Sequence, residues 1–286
     1  MKKKIKPKKI LFGIFFVFSL LILSTYVLLP IINMAIASVK PLEEIQIIQD
    51  SILPKNYDFN TYGRMWKTVP LLKYIKNTLI VVSISTVLSV IVAVFAGYIL
   101  QRFKFRGKKV FGNTLIFAQM LPGILLLLPV YLLYNLIFNA TGIKLVGTHL
   151  GLVITYMTFS LPFSIWMMSS FYRSIPIELE EAAFIDGCGY IRTLVSIVLP
   201  VARPGVIAVV IYSFLVGWEE IMFASVLTGS ATRTISVGLR NYASAQVVYW
   251  NEMMAAALTV TIPVVIAFLF LQKYLVQGLT AGSVKG

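Results

Sequence analysis

The residues of this chain best able to do chemistry are five acidic side chains that stand within or between long apolar runs. They are Glu180, Glu181, Asp186, Glu219 and Glu220. Two carboxylates act as acid and base in hydrolysis only when both reach the reacting bond. Glu219 and Glu220 are adjacent, and adjacent residues of a helix point about 100° apart. This geometry disfavours a hydrolase and favours binding or positioning roles.

Other catalytic groups are scarce. One histidine, His149, and one cysteine, Cys188, exclude a histidine cluster and an internal disulfide, and they argue against a cysteine-rich metal site. The chain has no glycine-lysine loop that would cradle phosphates, so it is not expected to hydrolyse ATP. His149 stands at the outer start of a predicted helix, where we expect an exposed or capping residue. The sequence therefore predicts a chain that is not an enzyme and binds no metal or cofactor itself.

The composition indicates a membrane protein. Of 286 residues, 58% are hydrophobic and only 13% are charged, which is more apolar surface than a soluble domain can bury. A helix of roughly 20 apolar residues crosses a bilayer and satisfies its own backbone hydrogen bonds. We predict an all-α integral membrane protein with six transmembrane helices. The spans lie within residues 1–37, 78–100, 111–137, 149–171, 205–228 and 252–272.

The basic residues predict the orientation of these spans. Clusters at residues 2–9 and 102–109 flank apolar runs, and such clusters mark the cytoplasmic side. Both termini are therefore predicted to be cytoplasmic, and the polar stretch 38–77 to be external. The net charge of +14 then reflects topology and contact with anionic lipid headgroups rather than nucleic-acid binding. Pro122 and Pro129 predict a kinked or broken third span.

The acidic segment after the fourth span predicts a short helix over residues 176–187. Ser174 is expected to cap its start, Pro176 to lie in its first turn and Gly187 to stop it. A second short helix is predicted from Tyr190 to Val198. An apolar face with small residues beside it favours docking into a groove of a partner. That face comprises Ile177, Glu181, Phe184 and Ile185, with Ala182 and Ala183 leaving room for close approach.

The segment EEAAFIDGCGYIRTLVSIVLPVARP resembles the cytoplasmic signature loop of the permeases of ABC importers. The resemblance implies a type I ABC importer permease, in which loop 172–204 carries a coupling helix that inserts into the ATP-hydrolysing subunit. It also implies one permease domain over residues 1–286, with a five-span core at 78–276 and a tail at 277–286. Cys188 stands where the family commonly has alanine. The implied ATPase contacts are Glu181, Ala182, Ala183, Asp186 and Gly187.

Other segments narrow the resemblance to sugar importers. SVKPLEEI, LLKYIKNTL, GWEEIMFASVLT and GLTAGSVKG are similar to the second, six-span permease of maltose-type transporters. The implied partners are a second permease, two ATPase subunits that bind ATP and Mg²⁺, an extracytoplasmic solute-binding protein and membrane lipids. The implied location is the plasma membrane of a bacterium or archaeon. The implied ATPase-interface tail residues are Gly278, Leu279, Thr280, Gly282, Lys285 and Gly286.

The substrate side of the resemblance leaves alternatives open. The family often has asparagine where Glu219 stands, so Glu219 is expected to face the translocation cavity or to remain structural. Glu220 is expected to face the cavity or substrate as well, or else to cap backbone or to pair with the partner permease. Trp218 stacks on a sugar ring or packs between helices. The cargo is expected to be a sugar such as a malto-oligosaccharide. The alternatives are an amino acid, peptide or polyol phosphate, or an ATP-independent carrier.

Overall fold

A computed structural model describes residues 7–46, 52–244 and 247–281. These residues are almost entirely helical, and the only strand-like pairing among them is an isolated bridge between Ala243 and Val248. The α-helices are α1 (Pro7–Ser38), α2 (Leu42–Gln46), α3 (Thr61–Thr68), α4 (Leu71–Arg102), α5 (Lys108–Met120), α6 (Gly123–Thr141), α7 (His149–Arg173), α8 (Glu178–Ile185), α9 (Tyr190–Thr193), α10 (Leu199–Val201), α11 (Arg203–Glu219), α12 (Met222–Leu227), α13 (Ile235–Gly238) and α14 (Trp250–Ala281).

The helices confirm the predicted membrane protein. Within the described residues, five helices are long and apolar enough to span a bilayer: α1, α4, α6, α7 and α14. A sixth candidate is the pair formed by Tyr190–Val201 and α11, which meet at an angle of 82°. Counting that bent pair as one span gives the six spans that the sequence predicts.

Two spans are interrupted. The third is broken at Leu121 and Pro122, as the proline predicted, into α5 and α6. The span predicted over 205–228 also contains a break, which the sequence did not predict. α11 ends at Glu219 and α12 begins at Met222, because the Glu220 backbone is extended and its side chain bonds the amides of the next turn.

The described chain divides into two compact units. The first comprises residues up to 70 together with 241–261, and the second comprises 71–240 together with the residues from 262 onward. The prediction of one permease domain over residues 1–286 stays a prediction.

The second unit is built around close packing of α4, α7 and α11. Gly97 permits the approach of α4 to α7, because a Cβ there would lie 2.8 Å from the Met168 Cβ and 3.0 Å from a backbone nitrogen. Serine hydroxyls bond across these helices, Ser89 to Ser160 at 2.9 Å and Ser164 to Ser213 at 3.1 Å. Small and hydroxylated residues are what membrane helices use to pack tightly.

The first unit is held by polar contacts. Glu252, which is buried, accepts hydrogen bonds from Thr68 and, at 3.4 Å, from Arg64. The same guanidinium donates a 2.6 Å hydrogen bond to Asp58 and thereby holds the pKa of that carboxyl below its ordinary value. Asn251, also buried, donates to the Lys40 carbonyl at 3.2 Å.

Candidate functional site

The acidic helix α8 has a defined start and a defined stop. It covers Glu178–Ile185, shorter than the predicted 176–187. The predicted cap at Ser174 is wrong, because the Ser174 hydroxyl donates to the Phe171 carbonyl at 2.8 Å and so closes the end of α7 instead. Three glutamates occupy or adjoin the first turn of α8, where negative charge is favourable to the helix dipole.

The stop is at Gly187, as predicted. Gly187 has φ +82°, a backbone conformation that is unfavourable for residues other than glycine. Its N–H donates to the Phe184 carbonyl at 3.0 Å, and the Cys188 N–H donates to the Ala183 carbonyl at 2.9 Å. These two bonds form a Schellman motif, which satisfies the last carbonyls of the helix. The corner after α8 is therefore fixed by geometry.

One face of α8 is buried against the rest of its own unit. Glu180 and Ala183 lie on this face, with relative exposures of 2% and 5%. The Glu180 carboxylate accepts hydrogen bonds from Tyr98 Oη at 2.7 Å and from Arg102 Nε at 2.6 Å. Arg102 Nη2 also donates to the Ile175 carbonyl at 2.8 Å. The last turn of α4 is thus joined both to α8 and to the segment that leads into it.

The remaining surface of α8 is exposed and carries an apolar stripe beside two glutamates, Glu178 and Glu181. Ile185 is 87% exposed and Ile177 is 49% exposed, and Phe184 lies at the edge of this face. Of the five residues that the sequence proposed as ATPase contacts, Glu181, Ala182, Asp186 and Gly187 are exposed, whereas Ala183 is buried. Ala183 therefore lets α8 pack closely on its own chain.

The second short helix continues from this corner. α9 leads into a π-helical turn, Leu194–Val198, and then into α10, so the predicted helix from Tyr190 to Val198 extends to Val201. Tyr190 contacts the Phe184 ring at a centroid distance of 4.9 Å. The 82° bend follows at Ala202 and redirects the chain into α11.

The residues near the end of α11 differ in how far they are buried. Glu220 is partly buried, and its two carboxylate oxygens accept from the amides of Phe223 at 2.7 Å and Ala224 at 2.8 Å. Backbone capping is one of the roles expected of Glu220, and its contact with the cavity or the partner permease stays a prediction. Glu219 is exposed. Trp218 stacks on Phe214, one turn earlier on the same helix, with ring centroids 5.5 Å apart.

Two further predictions have different outcomes. His149 is partly buried and its Nε2 lies 3.0 Å from Asn77 Oδ1, so it is neither fully exposed nor the cap, which is Thr148. The tail residues Gly278, Leu279 and Thr280 belong to the last turn of α14. The remaining tail residues, Gly282, Lys285 and Gly286, lie outside the described residues.

The sequence reasoning missed Tyr98, Arg102 and the separate role of Glu180. Arg102 was interpreted only as a marker of the cytoplasmic side, and Glu180 only as one acid of several. A signal was present, because Tyr98 and Arg102 are four residues apart and so lie on one face of α4. Glu180 and Ala183 are likewise three residues apart, on the side of α8 opposite its apolar face.

Comparison with known proteins identifies the family of this chain. Residues 86–281 match the family described as binding-protein-dependent transport system inner membrane component. The inner membrane ABC transporter permease protein YcjP of Escherichia coli is 34% identical over 91% of both chains. The trehalose/maltose transport system permease protein MalG of Thermococcus litoralis is 34% identical over 74% of this chain and 75% of its own.

Two more relatives extend the comparison. The diacetylchitobiose uptake system permease protein NgcG of Streptomyces coelicolor is 32% identical over 92% of this chain and 86% of its own. A chain of a bacterial ABC transporter involved in alginate import has the same fold, with a TM-score of 0.76 at 22% identity over 96% of this chain and 99% of its own.

The family match covers more than half of the chain, and the relatives that cover most of it are permeases of ABC transporters. A permease of this kind is a multi-pass plasma-membrane subunit and is not itself catalytic. The chain belongs to the binding-protein-dependent transport system inner membrane component family, the permeases of ABC importers.

Proposed function

We propose that this permease imports a sugar, as one of two permeases that work with two ATPase subunits and an extracytoplasmic solute-binding protein. ATP and Mg²⁺ bind to the ATPase subunits in this proposal. The support is the set of relatives whose names specify trehalose or maltose, and diacetylchitobiose. Each of these names specifies a disaccharide, and we propose a sugar of this class or a related oligosaccharide as the cargo.

The observation that carries the coupling part of the proposal is the exposed apolar face of α8. Ile185 at the end of α8 and Ile177 at its N-cap are open to solvent, whereas the other face of the helix is fixed to its own chain. An isolated helix of eight residues is unstable in water, so α8 depends on its buried face for its shape. An apolar face held rigidly in this way fits a groove of an ATPase subunit. Glu181, Asp186 and Gly187 border the proposed contact.

The mechanism follows from this contact. Closure of the two ATPases around ATP pushes α8, and the spans change from an inward-open to an outward-open state. Nucleotide and solute influence each other because each favours one of these states. The tail residues Gly278, Leu279, Thr280, Gly282, Lys285 and Gly286 form a second proposed contact with the ATPases.

On the substrate side, Glu219 is the acid available to the solute. Both carboxylate oxygens of Glu220 accept hydrogen bonds from backbone amides, whereas Glu219 is exposed. We assign Glu219 to the translocation cavity as an acceptor for sugar hydroxyls. The stacked Trp218 and Phe214 rings present an aromatic surface beside it.

The test is ATP hydrolysis and solute uptake by the complex reconstituted in vesicles with its binding protein. In Gly187→Val, we expect uptake to fall about tenfold while assembly and basal hydrolysis persist, because the corner that orients α8 is lost. Glu181→Gln is expected to weaken coupling less. Uptake assays with maltose, trehalose, an amino acid and a polyol phosphate identify the cargo class.

A matched control separates coupling from backbone strain. Gly107 also has a positive φ, +86°, and a Cβ at either glycine would meet no atom within 4 Å. Gly107→Val therefore introduces the same strain at a corner that is not part of α8, and it should preserve uptake. Glu43→Gln, at an exposed acid of α2, is the corresponding control for Glu181. Normal uptake in Gly187→Val, or uptake without any ATPase, would contradict the proposed coupling role.

A further inference from the structure

The contact between α4 and α8 is a buried ion pair that is supported by additional hydrogen bonds. The side chains of Arg102 and Glu180 are 11% and 3% exposed, and Nε and Oε1 are 2.6 Å apart. Tyr98 donates to the second carboxylate oxygen, and a second nitrogen of Arg102 donates to the Ile175 carbonyl. One guanidinium therefore holds both α8 and the chain that enters it.

Burial determines how Glu180 acts. With 2% of its surface exposed, Glu180 has no area to offer to another subunit. Its neighbour Glu181 is exposed and can make such a contact. Any influence of Glu180 on coupling must therefore pass through the residues it bonds within this chain.

Stability alone does not account for a buried ion pair here. Replacing such a pair by apolar side chains is often neutral or stabilising, because both charges lose their water on burial. The pair does confer a defined arrangement, since the planar fork of arginine bonds its acceptors in fixed directions. A fixed arrangement between a docking helix and a membrane span is what force transmission requires.

Aromatic rings run beside the ion pair along the same route. Phe184 of α8 contacts Tyr190 with centroids 4.9 Å apart, Tyr190 contacts Phe103 at 5.2 Å, and Phe103 contacts Tyr98 at 6.1 Å. The exposed edge of α8 is thereby connected through packed side chains to the end of α4.

We infer that Arg102 and Glu180 are positioning residues that make α8 and the last turn of α4 move as one body, so that displacement of α8 reaches the membrane span through this ion pair. The inference rests on the proposed role of α8 as the coupling helix. It assigns to Arg102 a function beyond its positive charge at the cytoplasmic side.

The decisive variant is the double substitution Arg102→Met with Glu180→Met. Either single substitution leaves a buried unpaired charge, which would confuse misfolding with loss of coupling. The double variant removes both charges and is expected to assemble. We expect its ATP hydrolysis to persist while uptake per ATP falls about tenfold, within the usual range of coupling between sites. If the double variant assembles and retains the uptake per ATP of the parent, the pair is merely structural and the inference is overturned.

A matched control removes one exposed cation and one exposed acid elsewhere. Arg106→Met removes an exposed cation of the same basic run, and Glu43→Met removes an exposed acid of α2, outside α8. This double control leaves the net charge unchanged, as the Arg102 and Glu180 double variant does, and it should retain uptake per ATP. If it loses uptake as strongly, the loss of charged side chains in general rather than the ion pair is responsible, and the inference fails.

A second measurement is independent of whether the methionine variant assembles. Spin labels at Ile99 on α4 and Glu178 on α8, with Cys188→Ser, report the separation of the two helices in the assembled complex. We expect the same separation with and without nucleotide. A shift of the distribution on ATP binding would overturn the inference. If Gly187→Val uncouples uptake from ATP hydrolysis but the methionine double variant and the spin labels give the overturning results, only this inference is wrong. If Gly187→Val shows normal coupled uptake as well, the proposed coupling role of α8 is also wrong.

Discussion

Two pairs of adjacent glutamates, one on α8 and one at the end of α11, divide their work in the same way. In each pair one carboxylate is turned inward and fully engaged, Glu180 and Glu220, while its neighbour is exposed, Glu181 and Glu219. The partners differ. Glu180 bonds side chains some 80 residues earlier in the chain, whereas Glu220 bonds amides three and four residues later.

This difference teaches what each acid controls. A carboxylate that bonds a distant helix sets the relation between two elements, and its loss leaves a buried cation behind. A carboxylate that bonds the next turn sets only a local break in the chain. Glu180 therefore makes a tertiary contact between α8 and α4, whereas Glu220 caps the start of α12.

The largest expected effect is that of Glu180→Ala. Arg102 then remains buried without a charged partner, which costs about 3–5 kcal/mol of stability. The thermal midpoint of the purified complex in detergent measures this loss. Glu178→Ala, on the exposed side of the same turn, should leave the midpoint nearly unchanged. Equal midpoints for the two variants would contradict the tertiary role of Glu180.

Glu220→Ala is expected to have a smaller effect. It removes a cap from two backbone amides of α12, a loss typically of about 0.5–2 kcal/mol. Hydrogen exchange of the amides of Phe223 and Ala224 should accelerate, while exchange in α8 stays the same. A stability loss as large as that of Glu180→Ala would remove the distinction between the two inward acids.

The smallest expected effect concerns Asp58, which is paired with a guanidinium that is 44% exposed. The pKa of Asp58 is lower in the folded chain than in the unfolded chain, so the pair contributes stability above the ordinary carboxyl pKa of about 4. This contribution disappears as the pH falls through the lower, folded value. Asp58→Asn should therefore be slightly less stable at neutral pH and equal to the parent in acid, as limited proteolysis of the external segment would show.

The sequence predicted the fold well because the bilayer imposes a strong rule. The length of each apolar run locates a span. Gly187 and Pro122 mark breaks because glycine adopts a positive φ and proline interrupts the helical hydrogen bonds. The predictions failed where two polar groups compete for one role. Ser174 was expected to cap the start of α8 but bonds the end of α7, and His149 was expected to be exposed or capping but bonds Asn77.

The candidate site was predictable on its exposed face only. An apolar stripe with acids beside it is visible in the sequence of α8. Which of the adjacent glutamates turns inward depends on Arg102, far away in the chain, and helical periodicity does not reveal a partner at that distance. The family match supports the permease and does not test individual contacts.

The π-helical turn Leu194–Val198 has a consequence for deletions in this segment. A π turn holds one more residue than an α-helix needs over the same rise. Deleting one residue there would let the ladder return to α-geometry and rotate α9 relative to α10 by about 100° about the helix axis. Because α8 is bonded to α4 through Glu180 and Arg102, it would not turn with α9, and the contact between Phe184 and Tyr190 would be lost. The packing of α9 against α8 therefore depends on the number of residues in this turn as well as on their identity.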